Sequence, residues 1–217
     1  MNKSDLYQIL EWFSDAGVFD VTSDMSTVQR ETKKEVASLA ELKEIVSKID
    51  ISIKKCALNM VFGVGNEKAE ILLLGEAPGE EEDRQGFPFV GQSGQLLDKI
   101  LAAVGLDRTK VYITNILPWR PPGNRTPTGQ EIAMFRPYVL KHISLVNPKV
   151  VICLGGTATK ALLQTSSGIM QLRGKWMQIP EFSAKIMPTF HPAYLLRSPS
   201  QKREAWHDFL VAISELQ

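Results

Sequence analysis

Four short apolar runs in the chain each end in a polar or glycine-rich cluster. They read Ile71-Leu72-Leu73-Leu74-Gly75-Glu76, Val111-Tyr112-Ile113-Thr114-Asn115, Val150-Val151-Ile152-Cys153-Leu154-Gly155-Gly156 and Ile186-Met187-Pro188-Thr189-Phe190-His191. The stretches between them have helical periodicity. Gln95 to Val104 carries Leu96, Leu97, Ile100, Leu101 and Val104 on one face, and Gly156 to Gln164 forms a shorter helix. Thr128 with Glu131 three residues later is a capping box that opens a helix reaching about Val146, and Gln201 to Leu216 reads as a C-terminal helix. Strand and helix in alternation predict an α/β fold, a mainly parallel four-stranded sheet with helices on both faces. In such sheets ligands bind beyond the carboxyl ends of the strands, so Glu76, Asn115, Gly155 and His191 are expected to gather along one edge.

The N-terminal quarter follows a different pattern. A helix is expected from about Lys3 to Ala16, with Leu6, Ile9, Leu10 and Phe13 on one side, then an aperiodic polar stretch from Phe19 to Thr32. A second helix places Val36, Leu39, Leu42, Ile45, Val46 and Ile49 in one apolar stripe. Residues 1–50 therefore read as a helical extension and linker, a scaffold or appendage without visible chemistry, and 51–217 as the α/β domain. Phe62-Gly63-Val64-Gly65-Asn66 is a turn signal, and Pro118 to Pro127 is too rich in proline for a helix or a central strand and must be an exposed loop.

Composition changes this picture little. With 217 residues and 44% hydrophobic content the chain can bury one good core, and a formal net charge of +1 selects no partner class. No apolar run approaches the roughly 20 residues of a membrane span, and no signal-peptide pattern opens the chain, so a cytoplasmic location is expected. Cys56 and Cys153 are the only cysteines, with Cys153 inside an apolar strand, which argues against a disulfide framework. Local charge is more telling. From Arg108 to Arg136 the basic side chains are Arg108, Lys110, Arg120, Arg125 and Arg136 against Glu131 alone, and Arg173, Lys175, Arg197, Lys202 and Arg203 form a second group. Such groups suit a phosphate backbone, although solvated surface charge is the commoner meaning of any one of them.

The strand-end clusters carry the candidate chemistry. Gly75-Glu76-Ala77-Pro78-Gly79 sets small residues where backbone approaches a flat or anionic ligand. The acidic run Glu80 to Asp83 fits a helix N-terminus and argues against a bare phosphate cradle. Phe89, held between Pro88 and Gly91, can stack on a base, whereas most phenylalanines are core. Asn115 offers the acceptor and donor that a pyrimidine edge requires. His191 ends a strand ahead of Pro192, while His142 and His207 lie on helices and read as structural.

Taken in order, Gly75-Glu76-Ala77-Pro78-Gly79-x-x-Glu82-Asp83, Gly86-x-Pro88-Phe89-Val90-Gly91, Thr114-Asn115, Arg120-Pro121-Pro122-x-Asn124-Arg125 and His191-Pro192-Ala193-Tyr194-Leu195-Leu196-Arg197 closely resemble family 4 of the uracil-DNA glycosylase superfamily. The resemblance runs from about Ile53 to the C-terminus. It implies a three-layer α/β/α fold and hydrolysis of the N-glycosidic bond between uracil and deoxyribose in single- or double-stranded DNA. Carried over by position, Gly75, Glu76 and Ala77 line the base pocket, Phe89 stacks on uracil, Asn115 reads its N3 and O4 edge, and His191 lies near O2. Glu82 and Asn124 support the pocket. Glu76 and Glu82 are the candidates for activating water. Arg120, Arg125 and Arg197 are expected on flanking phosphates, and Leu195 or Leu196 in the vacated stack.

Two departures stand out. Better-known families of the superfamily place an Asp at the third position of the first motif and a Tyr at the fifth; Ala77 and Gly79 stand there in this chain. Family 4 proteins usually hold an iron-sulfur cluster on four cysteines, and the matching positions are Ile53, Cys56, Trp119 and Phe135. The expectation is a monomeric glycosylase without cluster or other metal, with Ile53, Trp119 and Phe135 packed against Cys56 in the cluster's place. The alternatives are a non-catalytic nucleic-acid or partner-binding module of the same fold, and a glycosylase for another deaminated base.

Overall fold

The computed structural model describes residues 36–216. The helix expected over Lys3 to Ala16 and the polar stretch after it lie outside the described residues. The first described helix, α1 (Leu39–Ser47), starts at Ser38, whose side chain accepts from the Glu41 N–H. A short 3₁₀ turn (Ser52–Cys56) leads to β1 (Val64–Gly65) and β2 (Ile71–Gly75). Then follow α2 (Glu80–Gln85), α3 (Gln92–Ala103), β3 (Tyr112–Asn115), a 3₁₀ turn (Pro122–Asn124), α4 (Gly129–Val146) and β4 (Val150–Leu154). The chain continues through α5 (Gly156–Leu163), α6 (Ile169–Leu172), β5 (Lys185–Thr189), α7 (Pro192–Arg197) and α8 (Lys202–Ser214).

The sheet order is β1-β3-β2-β4-β5. The four strands read from the sequence pair in parallel, and every residue of β2, β3 and β4 is buried, as expected of strands covered on both faces. The sheet has a fifth member that the apolar pattern did not contain. Val64 and Gly65, expected as a turn, pair antiparallel with Ile113 and Tyr112 at the edge. Two residues are too few to carry an alternation. The backbone of Gly65 has φ +119°, and a Cβ there would press on the Val111 carbonyl, so the close edge pairing requires glycine.

Side chains alternate between two cores. Leu72, Leu74, Val151, Cys153 and Ile186 face one side with Leu42 and Val46 of α1, Phe135 and Ile143 of α4 and Leu162 of α5. Ile71, Leu73, Ile113, Ile152 and Met187 face the other with Leu97 and Leu101 of α3 and Phe209 of α8. The result is helix, sheet, helix in three layers. Leu39, Leu42 and Val46 of α1 thus belong to the core of the α/β unit, which is compact from Val36 onward; Ile45, assigned to the same stripe, is exposed. No helix among the described residues is long and apolar enough to cross a membrane.

Parallel pairing points the carboxyl ends of β2 to β5 the same way. The order reverses between β2 and β4: the chain leaves β2 for β3 on one side and returns to β4 on the other. Gly75, Asn115, Gly155 and His191 follow or end these strands, beside the crevice that such a reversal opens.

Candidate active site

A cleft of about 730 Å³ opens at this edge, with Glu76, Ala77, Phe89, Asn115, His191 and Arg197 among its walls. Glu82, Asn124, Arg125 and Leu196 also reach it. Residues far apart in sequence are therefore brought together as the strand-end pattern predicts. Gly75 lies behind the wall, and its lack of a side chain is what admits its neighbours. A Cβ there would stand 2.7 Å from two ring carbons of Phe89 and closer still to Asn115 Oδ1.

Asn115 ends β3 at 6% exposure, and its buried Oδ1 has no hydrogen-bond partner. Buried polar atoms are nearly always paired, because losing water without replacement costs about 1–3 kcal/mol. A carbonyl oxygen left bare in the wall of a cleft calls for a ligand N–H.

His191 caps the N-terminus of α7. Its Nδ1 accepts the Ala193 N–H at 3.1 Å, which fixes a neutral tautomer with the proton on Nε2. Burial, reinforced by the charge of Arg197 and opposed by Glu82, pushes the imidazole pKa down to about 4. The ring lies 5.6 Å from that of Phe89, tilted by 33°. Gly155, at φ +95°, leaves it room: a Cβ there would sit 2.9 Å from the Cβ of His191.

Phe89 is held at both ends of its loop. Its backbone is left-handed at φ 54°, an unfavourable state for a bulky residue that needs external support. Glu82 supplies part of that support. Its Oε1 accepts the Val90 and Gly91 N–H groups, each at 2.8 Å, and its Oε2 accepts the Gly79 N–H at 3.1 Å. The carboxylate expected as a candidate for water activation is thus engaged by backbone, and Glu82 positions the two loops that carry Gly79 and Phe89. Arg108 completes the clamp, donating to the Pro88 carbonyl at 3.0 Å, to the Phe89 carbonyl, and to Asp98 at 2.8 Å. Arg108 was legible in the sequence only as one cation of a basic group; nothing in its spacing linked it to Phe89.

Most cations of that group are committed inside the protein. Arg125 meets Glu131 with both guanidinium nitrogens, at 2.7 and 2.9 Å, and these hydrogen bonds hold the Glu131 carboxyl down at about 2. Arg120 donates to Asn124 Oδ1 at 2.7 Å and stands 3.6 Å from Glu80. These contacts stiffen the proline-rich loop, in which Gly123 and Asn124 both have positive φ. Arg136 is paired with Glu181, whereas Arg197, at the cleft, makes no ion pair among the described residues. Leu195 corrects one expectation: it is fully buried against Phe190 and Ala205 and cannot enter a base stack. Leu196 is 42% exposed at the cleft.

Residues 62–210 match the family model of the uracil DNA glycosylase superfamily. The type-4 uracil-DNA glycosylase of Archaeoglobus fulgidus is 40% identical over 182 residues, covering 79% of this chain and 91% of the relative. Those of Thermotoga maritima and Sulfurisphaera tokodaii are 41% and 40% identical over 174 and 185 residues, covering 75% and 79% of this chain and 87% and 82% of the relatives. The chain is a family 4-like member of the uracil-DNA glycosylase superfamily.

The cluster implied by family 4 finds no suitable donors at the matching positions of this superfamily member. Ile53, Trp119 and Phe135 are buried in one core, the rings of Trp119 and Phe135 meeting edge to face at 5.8 Å. Cys56 is exposed, which corrects the expectation that it is packed among them. Cys153 lies on β4 with its thiol pKa pushed up by burial, away from thiolate ligation. One exposed thiol and three side chains that offer no thiolate do not fit an iron-sulfur cluster.

Proposed function

We propose that the protein hydrolyses the N-glycosidic bond of deoxyuridine in DNA, releasing uracil and leaving an abasic site for base-excision repair. The observation that carries the reading is the unpaired Oδ1 of Asn115, in the wall of the same cleft as His191, whose Nδ1 is taken by the Ala193 N–H and whose proton is therefore on Nε2. Uracil offers a donor at N3 and acceptors at O4 and O2. With the base stacked on Phe89, Asn115 accepts from N3–H and donates to O4, while His191 donates to O2.

The base must first leave the duplex, at a cost of a few kcal/mol, or be taken from single-stranded DNA. As the glycosidic bond breaks, its electron pair moves to uracil N1 and the charge spreads to O2. A neutral imidazole donor aimed at O2 stabilises that anion more than the ground state, which is the condition for catalysis. Water adds to C1′, and the proton it loses ends, through solvent, on the uracil anion, giving a C1′ hydroxyl and neutral uracil. Of the two carboxylate candidates Glu82 is engaged by backbone, so Glu76, a cleft residue, takes the water-orienting role. Arg197 holds a flanking phosphate and Leu196 fills the space that the base vacates.

The side chains of Ile53, Trp119 and Phe135 take the place of the cluster, and no step depends on a metal. The protein acts as a cytoplasmic monomer. Incubating it, without added metal, with oligonucleotides carrying uracil, a thymine mismatch, hypoxanthine or normal bases tests the reading. Uracil release with an alkali-labile site is expected. Intact uracil in both single- and double-stranded substrates, with DNA binding retained, would favour a binding module. Iron and sulfide analysis after anaerobic purification tests the cofactor, and near-stoichiometric iron would refute its replacement.

A further inference from the structure

A second groove, of about 330 Å³, runs between α3, α7 and α8. Leu96 and Ile100 form its floor, Lys99, Lys202 and Arg203 its rim, and Trp206 stands beside them at 36% exposure. No carboxylate among the described residues lines it. Unlike Arg108, Arg125, Arg136 and Arg173, its three cations make no ion pair among the described residues. An apolar floor, an accessible indole and unneutralised cations together are what an unpaired base and its phosphates require.

The groove and the cleft are bordered by the same two helices. Helix α3 begins in the cleft at Gln92 and Ser93 and reaches the groove at Leu96, and α7 backs the groove with the buried Leu195 while Leu196 and Arg197 line the cleft. Lys99 lies six residues beyond Ser93, a helical rise of about 9 Å. At the roughly 3.4 Å per nucleotide of a strand that keeps the stacked spacing of a duplex, that is two to three nucleotides.

We propose that this groove is a single-stranded DNA subsite, in which a base two to three nucleotides from the target uracil stacks on Trp206 while Lys99, Lys202 and Arg203 hold its phosphates. The proposal rests on the reading of the cleft as the uracil site. A duplex would offer the groove phosphates but keep its bases in their own stack, so the indole favours the single strand.

The test compares a single-stranded 15-mer carrying one central uracil with a trinucleotide carrying uracil at its middle position, which offers no base two nucleotides from the target. Trp206→Ala is expected to raise KM on the 15-mer about tenfold, the usual scale for losing one base–aromatic stack, and to leave kcat and the trinucleotide unchanged. The combined Lys99→Gln, Lys202→Gln, Arg203→Gln variant, with Trp206 intact, should reduce the salt dependence of 15-mer binding by about 0.7 in log–log slope for each phosphate it no longer neutralises. DNA binding should quench a tryptophan signal that Trp206→Phe lacks. A 15-mer KM within twofold of the parent in both variants overturns the proposal, as does an equal rise on the trinucleotide. An unchanged KM, with an acidic amphipathic peptide producing the Trp206 signal instead, overturns it in favour of a protein partner. If the parent releases no uracil from either substrate, it is the cleft reading that fails.

Discussion

Gly75 and Asn115 are paired across adjacent parallel strands, and the space above Gly75 is the space that the Asn115 amide occupies. A methyl group at Gly75 would meet both Asn115 Oδ1 and the Phe89 ring. Gly75→Ala should therefore displace both groups. Displacements near 1 Å can cost about a hundredfold in rate, and a loss of that size in single-turnover excision is expected, with the circular-dichroism spectrum unchanged. Excision within fivefold of the parent would show that this packing does not position the base.

Arg108 makes no contact with the cleft, yet its hydrogen bonds to the Pro88 and Phe89 carbonyls brace a left-handed phenylalanine. Arg108→Ala should lower kcat/KM for uracil excision by roughly ten- to a hundredfold and weaken inhibition by free uracil, which needs the stacking platform. Affinity for uracil-free DNA should stay unchanged. Loss of that affinity in parallel would show a phosphate ligand instead of a brace.

The layers and the edge of the site were legible because buried parallel strands must be apolar throughout and must end where polar residues resume. Asn115 and His191 stood out for that reason. The clamp was not legible, because Glu82, Arg108 and Gly94 meet the Phe89 loop through its backbone, and backbone partners leave no sequence signature. A Cβ on Gly94 would collide with the Phe89 carbonyl, although in sequence Gly94 is only a glycine inside a helix. The partners of the basic residues were not legible either. Arg125 reads as a phosphate ligand, but Glu131, recognised from its capping box with Thr128, also takes both arms of the guanidinium. Val64–Gly65 was missed because two residues carry no period.

His142 is buried beside Tyr112, with Nε2 2.9 Å from the phenol oxygen, and burial pushes its pKa down to about 4. The unfolded chain takes up this proton near 6.5, before the folded one. Stability is then complete above about pH 6.5 and falls as the pH drops toward 4, by on the order of 3 kcal/mol for this group. Urea unfolding between pH 7 and 4.5 should show the slope, to which His191 is shifted in the same direction and also contributes, and His142→Gln should remove the His142 share of it. An identical slope in the variant would assign it to other groups.

Phe135 fills one of the positions where family 4 implies a cluster ligand and is 1% exposed against Trp119. Phe135→Ala should cost about 3–5 kcal/mol of unfolding free energy. A cost below about 1 kcal/mol would mean that the aromatic pair does not hold the proline-rich loop to the core.

The neutral tautomer of His191 implies that excision does not depend on an imidazolium. The pH–rate profile should carry no inflection near 6.5 from this group, since its pKa is pushed down to about 4. A His191-dependent inflection between pH 6 and 7 would contradict the tautomer fixed by Ala193.

Single-turnover uracil excision by the parent, Asn115→Ala and Asn115→Asp tests the central claim most directly. Alanine removes both contacts to the base; aspartate keeps the acceptor for N3–H but loses the donor to O4 and sets a carboxylate against the uracil anion. Sites built on such hydrogen bonds discriminate by about 10⁴-fold. The account predicts rapid uracil release by the parent and a loss of at least about a hundredfold in both variants, with folding intact. Rates within about tenfold of the parent, some 1.4 kcal/mol of barrier, would contradict it.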